Sequence, residues 1–293
     1  MKFRTLSVAA VCLLFPFAAA HAASHSEMVP VAQGVRLHVL EAGHASTRPT
    51  LLLIPGWRLT ASIWARQLDS LGQDWHVIAV DPRSQGDSTM TGDGDTPEQR
   101  ARDYHALIAA MHTGPVVLVG WSQGVQDVAA YVDRFGVQDV KGIVLVDSTI
   151  SKGAADIPNR LDFTVQQLKL LPLLSAAPRD FTAGMMHAII SRPLPEAEFA
   201  AIVDQGMKTP PAISQAMLVA DMFGVDRTRA IAKFKIPTLV IASSRSAELD
   251  AEKALAAALP DARIEIVENA AHAVFVDQPA QFDTLLKAFL KGL

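Results

Sequence analysis

The residues that could do chemistry centre on Ser122, which lies in the middle of the G-x-S-x-G pentapeptide Gly120–Gly124. Residues 115–119 before it are apolar, and residues 123–135 after it have a helical pattern. A serine at such a strand-to-helix turn adopts a strained backbone conformation that exposes its hydroxyl. The flanking glycines let the two backbones approach closely, and the first helix amides favour negative charge nearby. Ser122 is therefore predicted to be a nucleophile, which needs a histidine base and an acid to orient that base.

Apolar segments alternate with helical patterns along the chain, and this alternation predicts a parallel α/β sheet covered on both faces. The predicted strands are Val35–Leu40, Thr50–Ile54, His76–Val80, Val116–Gly120, Lys141–Val146, Pro237–Ala242 and Arg263–Val267. The predicted helices are Ala61–Leu71, Pro97–Met111, Gln123–Phe135, Asp250–Leu259 and Ala280–Leu290. In this arrangement Ser122 lies at the carboxyl end of a strand, the edge at which open α/β sheets bind ligands.

The alternation stops in residues 148–235, which have helical patterns but no clear strand. This segment contains five of the nine methionines and is interrupted by prolines. We predict that it forms a helical cap over the carboxyl edge of the sheet. The core is then predicted to consist of residues 23–147 and 236–293.

Residues 1–22 have the pattern of a secretory signal peptide, with a basic start, a short apolar stretch and a small-residue cleavage site. Cleavage is predicted after Ala22 or Ala23. A retained membrane anchor is the weaker alternative because the apolar stretch is short for a membrane span. The single cysteine, Cys12, lies in this segment, so the mature protein would have no disulfide. We expect a bacterial protein exported to the periplasm or the medium, without stable membrane insertion after cleavage.

The composition narrows the classes of partner and cofactor. The chain has 26 Lys and Arg against 30 Asp and Glu, without a basic cluster, so nucleic acid is not expected as a partner. A phosphate loop and a dinucleotide fingerprint are absent from the sequence, so no nucleotide cofactor is predicted. His105 and His112 lie on one predicted helix without a carboxylate partner, and no metal site is predicted there. We expect a small-molecule substrate and leave the oligomeric state open.

Four stretches of the chain, in order, resemble the α/β-hydrolase fold superfamily, in its group of serine esterases, lipases and cofactor-free haloperoxidases. They are residues 51–57, residues 80–88, the pentapeptide Gly120–Gly124 and residues 269–279. The resemblance extends from about Val31 to the end of the chain. It implies an α/β-hydrolase fold: a mostly parallel, doubly wound sheet with a helical cap inserted after the sixth strand.

The resemblance also implies that His272 is the base and that two backbone amides form an oxyanion hole. His272 lies in a loop of small residues between the last strand and the terminal helix, from which it can fold back over Ser122. The residue after the nucleophile, Gln123, would supply one backbone amide to a developing oxyanion. Trp57 would supply a second amide from the loop after the strand that ends near Pro55. The family's usual histidine of that loop is replaced here by Pro55, but a backbone donor does not depend on it.

The third member of the triad is less clear from the sequence. In most relatives the acid follows strand 237–242 at a position that is Ser246 here. Some α/β-hydrolases carry it after the preceding strand, which in this chain ends in Asp147. We therefore predict that Asp147 is the acid, with Glu248 as the alternative. Asp250, which has the pattern of a helix N-cap, and the absence of any acid are further possibilities.

Together these features predict an exported serine hydrolase that cleaves a carboxylic ester or lactone through an acyl-enzyme on Ser122. Relatives that cleave carbon–halogen bonds or epoxides use an aspartate at this position, so Ser122 argues against both reactions. One alternative is a perhydrolase or a C–C bond hydrolase that uses the same site. Another is a non-catalytic binding protein with a degenerate site, which the unusual position of the acid would favour.

Overall fold

The structure, a computed structural model, describes residues 24–293. The predicted signal peptide and its cleavage site lie outside the described residues. Within residues 24–293 the chain forms an eight-stranded sheet in the order β1-β2-β4-β3-β5-β6-β7-β8. The strands are β1 His25–Ala32, β2 Val35–Ala42, β3 Thr50–Ile54, β4 Val77–Val80, β5 Val116–Trp121, β6 Val140–Val146, β7 Thr238–Ser243 and β8 Ala262–Val267. The pairings β1–β2 and β2–β4 are antiparallel, and the remaining pairings are parallel.

Ten α-helices accompany the sheet in the described part of the chain. They are α1 Ala65–Leu71, α2 Pro97–Ala110, α3 Gln123–Phe135, α4 Leu161–Ala176, α5 Pro178–Ile189, α6 Glu196–Met207, α7 Pro211–Met222, α8 Leu249–Ala258, α9 Val274–Asp277 and α10 Pro279–Leu290. Short 3-10 helices span Ala61–Trp64, Gly153–Asn159 and Thr228–Lys233. Within residues 24–293, no helix combines the length and the apolar character needed to cross a membrane.

The strand residues divide alternately between two buried cores, as the period of two along a strand requires. In β3, Leu51 and Leu53 join the core shared with α1 and α10. Leu52 and Ile54 join the core shared with α2, α3 and α8. Burial on both faces explains why the central strands are almost wholly apolar.

The antiparallel strand β1 was not predicted from the sequence. It lies at the edge of the sheet, and Val29 is its one buried residue. Its sequence, HSEMVPVA, therefore lacks the apolar run that marks the central strands.

Helices α4 to α7 follow β6 and precede β7, and they form the cap over the carboxyl edge of the sheet. The predicted fold, a mostly parallel sheet with helices inserted after the sixth strand, is confirmed. Ser122, at the end of β5, and Asp147, at the end of β6, lie at neighbouring positions on the same edge because these strands pair in parallel.

Candidate active site

Ser122 occupies a strained turn between β5 and α3. Its backbone has φ 56° and ψ −121°, a conformation that costs a residue with a side chain roughly 1–3 kcal/mol. The turn depends on the glycines on either side. A Cβ on Gly120 would lie 2.5 Å from the Gly124 carbonyl oxygen, and a Cβ on Gly124 would lie 2.7 Å from the Ile54 carbonyl oxygen. Both positions therefore need glycine, which lets the backbones on either side of Ser122 approach closely.

The loop after β3 packs directly against Ser122. A Cβ added to Gly56 would lie 3.0 Å from the Ser122 Cβ and 3.3 Å from its Oγ. The Leu59 N–H donates to the Gly56 carbonyl at 3.2 Å and closes a turn in which Arg58 has a φ of 64°. Because this turn includes Trp57, the loop predicted to supply an oxyanion donor lies beside the predicted nucleophile.

His272 and Asp147 form a hydrogen-bonded pair. The His272 Nδ1 lies 2.7 Å from the Asp147 Oδ2, and the Asp147 side chain is 1% exposed. Asp147 directly follows β6 with a φ of 46°, another left-handed residue at this edge. Since this hydrogen bond engages Nδ1, Nε2 is the ring nitrogen that the pair leaves available for proton transfer. The structure thus brings together the residues predicted as base and acid.

Ser243, the last residue of β7, supports the site although no role was predicted for it from the sequence. Its backbone N–H donates to the Asp147 Oδ1 at 2.5 Å, and its hydroxyl donates to the Ala270 carbonyl at 2.6 Å. Ser243 therefore orients the carboxylate and anchors the start of the histidine loop. Its position beside β6 at the carboxyl edge of the sheet is the signal that could have identified it.

Trp121 holds the histidine loop from the other side. Its indole Nε1–H donates to the His272 carbonyl at 2.9 Å, and the two rings lie 5.4 Å apart between centroids. The His272 side chain is 33% exposed, so solvent can reach the ring. The imidazole is therefore positioned by contacts to both its ring and its backbone.

Gln123 and Trp57, the predicted oxyanion donors, line the same cavity as Ser122 and His272. Gln123 is the first residue of α3, so its backbone N–H has no partner inside the helix. The Trp57 indole donates to the Ser214 carbonyl at 2.8 Å, which ties this side chain to the cap. The role of the two backbone amides in the reaction remains a prediction.

Glu248, the alternative acid, lies at the rim of the cavity and forms an ion pair with Arg160, just before α4. Its backbone N–H donates to the Ser246 hydroxyl oxygen at 3.2 Å. Asp250 is exposed and lies 3.5 Å from Lys253 on the same helix. The structure therefore places Asp147 against His272 and engages both other acids elsewhere.

Glu252, on α8, is a buried carboxyl group that the sequence analysis missed. Its side chain lies in the fully buried interior of the core. Burial, reinforced by the negative charge of Asp147, raises the pKa of Glu252 to about 8. At neutral pH this group is therefore largely protonated and adds little negative charge near Asp147.

A cavity of about 1000 Å³ separates the catalytic edge of the sheet from the cap. Its apolar lining residues include Leu59, Trp121, Ile157, Phe163, Leu170, Leu173, Phe181, Met185, Ile189, Leu218 and Met222. Of the cap methionines, Met185 and Met222 line this cavity, whereas Met186 and Met217 are buried in the protein interior. The cavity can hold an apolar group next to Ser122.

Possible metal ligands of His38, Asp81 and Asp87 lie within 4.8 Å of one another. The bond between His38 Nδ1 and Asp81 Oδ2, at 2.9 Å, raises the pKa of the histidine. Asp81 also accepts the backbone N–H groups of Ala61 and Asp87, and the His38 Nε2 contacts Ser26. These hydrogen bonds explain why the three side chains lie together: they support the loop of residues 81–88. We therefore assign no metal to this cluster.

Comparisons with known proteins identify the family of the chain. The model of the alpha/beta hydrolase family matches residues 51–284. Non-heme chloroperoxidase CPO-A1 of Kitasatospora aureofaciens is 27% identical over 242 residues, which cover 76% of this chain and 85% of that protein. Lipase 1 of Psychrobacter immobilis is 27% identical over 269 residues, which cover 88% of this chain and 82% of the lipase.

A solved thermophilic esterase from Thermogutta terrifontis superposes with a TM-score of 0.76 at 20% identity. The match covers 92% of this chain and 99% of that one, and at this identity it shows the fold alone. The family model, by contrast, spans the pentapeptide Gly120–Gly124, Asp147 at the end of β6 and the loop that contains His272. The chain therefore belongs to the alpha/beta hydrolase family, with haloperoxidases and lipases among its relatives.

Proposed function

We propose that this protein is a serine hydrolase that cleaves a carboxylic ester or lactone through an acyl-enzyme on Ser122. The observation that carries the proposal is the hydrogen-bonded pair of His272 and Asp147 in the cavity that Ser122 also lines. A serine hydroxyl is a weak nucleophile unless a positioned base accepts its proton. These three groups supply the nucleophile, the base and the orienting acid of that chemistry.

In the proposed reaction the Ser122 Oγ attacks the ester carbonyl while His272 accepts the hydroxyl proton. The negative charge on the former carbonyl oxygen is stabilised by the backbone N–H groups of Gln123 and Trp57. His272 then protonates the leaving alcohol as the tetrahedral intermediate collapses to the acyl-enzyme. Asp147 keeps the imidazole in place and stabilises its charged form throughout.

A water molecule completes the cycle. His272 accepts a proton from that water as it attacks the acyl carbon, and then returns the proton to the Ser122 Oγ as the acyl–oxygen bond breaks. The carboxylic acid leaves, and the serine and histidine are restored. The apolar lining of the cavity favours a substrate with an uncharged, largely apolar acyl group. The names of relatives such as Lipase 1 are consistent with an ester substrate.

A fluorophosphonate probe tests this function because it reacts with an activated serine. We expect the purified native protein to gain the mass of one phosphonyl group at Ser122, with loss of fluoride from the probe, and Ser122→Ala to gain none. The wild type should also hydrolyse short chromogenic esters, and Ser122→Ala should not. A folded wild-type protein that neither labels nor hydrolyses these esters would refute the proposal.

We also propose that the protein is exported with residues 1–22 removed. The support is the basic, apolar and small-residue order of that segment. Expression of the full chain in a bacterium should yield a periplasmic or secreted protein. Its intact mass should match a chain that begins at Ala23 or Ser24. A cytoplasmic protein that retains Met1 would contradict this proposal.

A further inference from the structure

Asp277, at the end of α9, is a buried carboxylate to which neither the sequence nor the proposed mechanism assigns a role. It is 5% exposed and lies five residues after His272. Its Oδ2 accepts the backbone N–H of Ala271 at 2.6 Å. Ala271 immediately precedes His272 and also lines the cavity. The carboxylate therefore holds the peptide adjacent to the catalytic base.

The same carboxylate holds the end of cap helix α5. Its Oδ1 accepts the backbone N–H groups of Ser191 at 2.9 Å and Arg192 at 3.0 Å. Its Oδ2 also accepts the Ser191 hydroxyl at 2.7 Å. One side chain thus joins two segments about 80 residues apart in the sequence, the cap and the histidine loop.

Two further bonds fix this junction. The Ala273 N–H donates to the Ile189 carbonyl at 2.8 Å, and the Arg192 Nε–H donates to the Val276 carbonyl at 2.5 Å. Ala273, which follows His272, is therefore bound directly to the last residue of α5. Ala271, which precedes His272, is linked to the segment after α5 through the Asp277 carboxylate. Displacement of that end of the cap would break these bonds and leave the histidine loop held only from the side of the sheet.

We propose that Asp277 is a positioning residue that couples the seating of the cap to the placement of His272 beside Ser122. This inference rests on the proposed hydrolase function, because it assigns His272 the role of base. Only a carboxylate can accept from all of the converging donors. An asparagine of the same size would point two N–H groups at donors. The charged acceptor also forms the stronger hydrogen bonds.

The proposal predicts separate effects on kcat and KM. Asp277→Asn should lower kcat for a short chromogenic ester by roughly 10- to 100-fold, because a small displacement of a catalytic group is enough for such a loss. KM should change by less than about threefold, since Asp277 does not line the cavity. Ser191→Ala, which removes the hydroxyl bond to Asp277, should lower kcat by a smaller factor. Its KM is expected to change as well, because Ser191 lines the cavity.

Asp283→Asn is the matched control. The Asp283 carboxylate on α10 accepts from the Ser70 hydroxyl at 2.5 Å and the Gln67 amide at 3.2 Å. Its replacement also removes a partly buried, hydrogen-bonded carboxylate, but one that joins α10 to α1. It should lower the denaturation midpoint and leave kcat, measured well below that midpoint, within twofold of wild type.

Hydrogen exchange followed by mass spectrometry tests the coupling without reference to activity. In Asp277→Asn the peptides covering 186–192 and 269–274 should both exchange faster, and in Asp283→Asn neither should. Unchanged exchange in either peptide of Asp277→Asn, or a kcat within twofold of wild type, would overturn the inference. If wild type itself has no activity, the proposed function fails while the exchange data still test the junction. If Asp277→Asn does not fold, Ser191→Ala is judged by the same two criteria.

Discussion

The Asp147 carboxylate reaches His272 from the end of β6, with its Oδ2 2.7 Å from the imidazole Nδ1. The other carboxylate oxygen accepts the N–H of Ser243 at the end of β7. The carboxylate paired with His272 and its support therefore come from the ends of two neighbouring strands. We propose that this pair replaces the acid that most relatives carry at the position of Ser246.

Replacement of Asp147 tests this relationship. Asp147→Asn should lower kcat by roughly 10⁴-fold, because an amide cannot stabilise the charged imidazole or hold its tautomer. Glu248→Gln is the control, since Glu248 is paired with Arg160 and should retain near-wild-type kcat. Steady-state kinetics on a short chromogenic ester measure both. Equal activity of the two variants, or a greater loss in Glu248→Gln, would show that Asp147 is not the acid that supports His272.

The close packing around the pentapeptide Gly120–Gly124, the nucleophile elbow, leads to a prediction about stability. Gly124→Ala would place a Cβ 2.7 Å from the Ile54 carbonyl oxygen, and such overpacking costs about 1–3 kcal/mol. We expect a lower midpoint of thermal unfolding together with loss of probe labelling at Ser122. Gly92→Ala, where a Cβ meets nothing within 4 Å, should change neither property. An unaltered midpoint in Gly124→Ala would show that the elbow can relax.

Glu252 makes stability depend on pH. Its pKa is raised to about 8 in the folded protein, whereas the carboxyl of an unfolded chain ionises near its ordinary value of 4.5. Below pH 4.5 the group is protonated in both states. As the pH rises toward 8 only the unfolded state loses the proton, so the free energy of unfolding falls.

Urea unfolding of wild type and Glu252→Gln at pH 5 and pH 8 measures this effect. The free energy of unfolding of wild type should fall more between the two pH values than that of the glutamine variant, whose side chain does not titrate. Parallel changes in the two proteins would show that Glu252 is ionised in the folded state.

Arg58 connects the loop beside Ser122 to three cap helices. Its guanidinium donates to the hydroxyls of Ser214 and Thr182 and to the Gly206 carbonyl, without a carboxylate partner among the residues described. Burial lowers its pKa to about 10. Arg58→Ala would leave these acceptors unpaired, at a cost of about 1–3 kcal/mol for a buried group.

Limited proteolysis of the cap and chemical denaturation test the role of Arg58. We expect Arg58→Ala to be cleaved faster within residues 153–233 and to be less stable. Arg179→Ala is the control, because the pair of Arg179 with Asp204 is exposed and such pairs contribute about 0–1 kcal/mol. Identical cleavage rates for the two variants would show that Arg58 does not fasten the cap.

The parts of the site that the sequence could predict are those with a local signal. Ser122 was predicted from the glycines beside it, and His272 from its loop near the chain end. Ser243 and Asp277 have no such signal, because Ser243 binds Asp147 across 96 residues and Asp277 binds the cap across 86 residues. Their roles depend on which strand ends and helix ends meet in the folded chain.

The same distinction applies to the fold. The central strands were predicted because burial on both faces makes them continuously apolar, as in β3. Strand β1 was missed because it is exposed at the edge of the sheet. Arg58 could not be anticipated either, since a fully buried arginine without a carboxylate partner is unusual and depends on the cap packed over it.

The central claim is that an acyl-enzyme forms on Ser122, and rapid acid quenching tests it most directly. A chromogenic ester mixed with the protein and quenched within milliseconds should give a burst of one leaving group per protein molecule. Mass spectrometry should then place the acyl group on the peptide that contains Ser122, and Ser122→Ala should give neither signal. Steady ester hydrolysis that persists in Ser122→Ala, or an acyl group on another residue, would contradict the account.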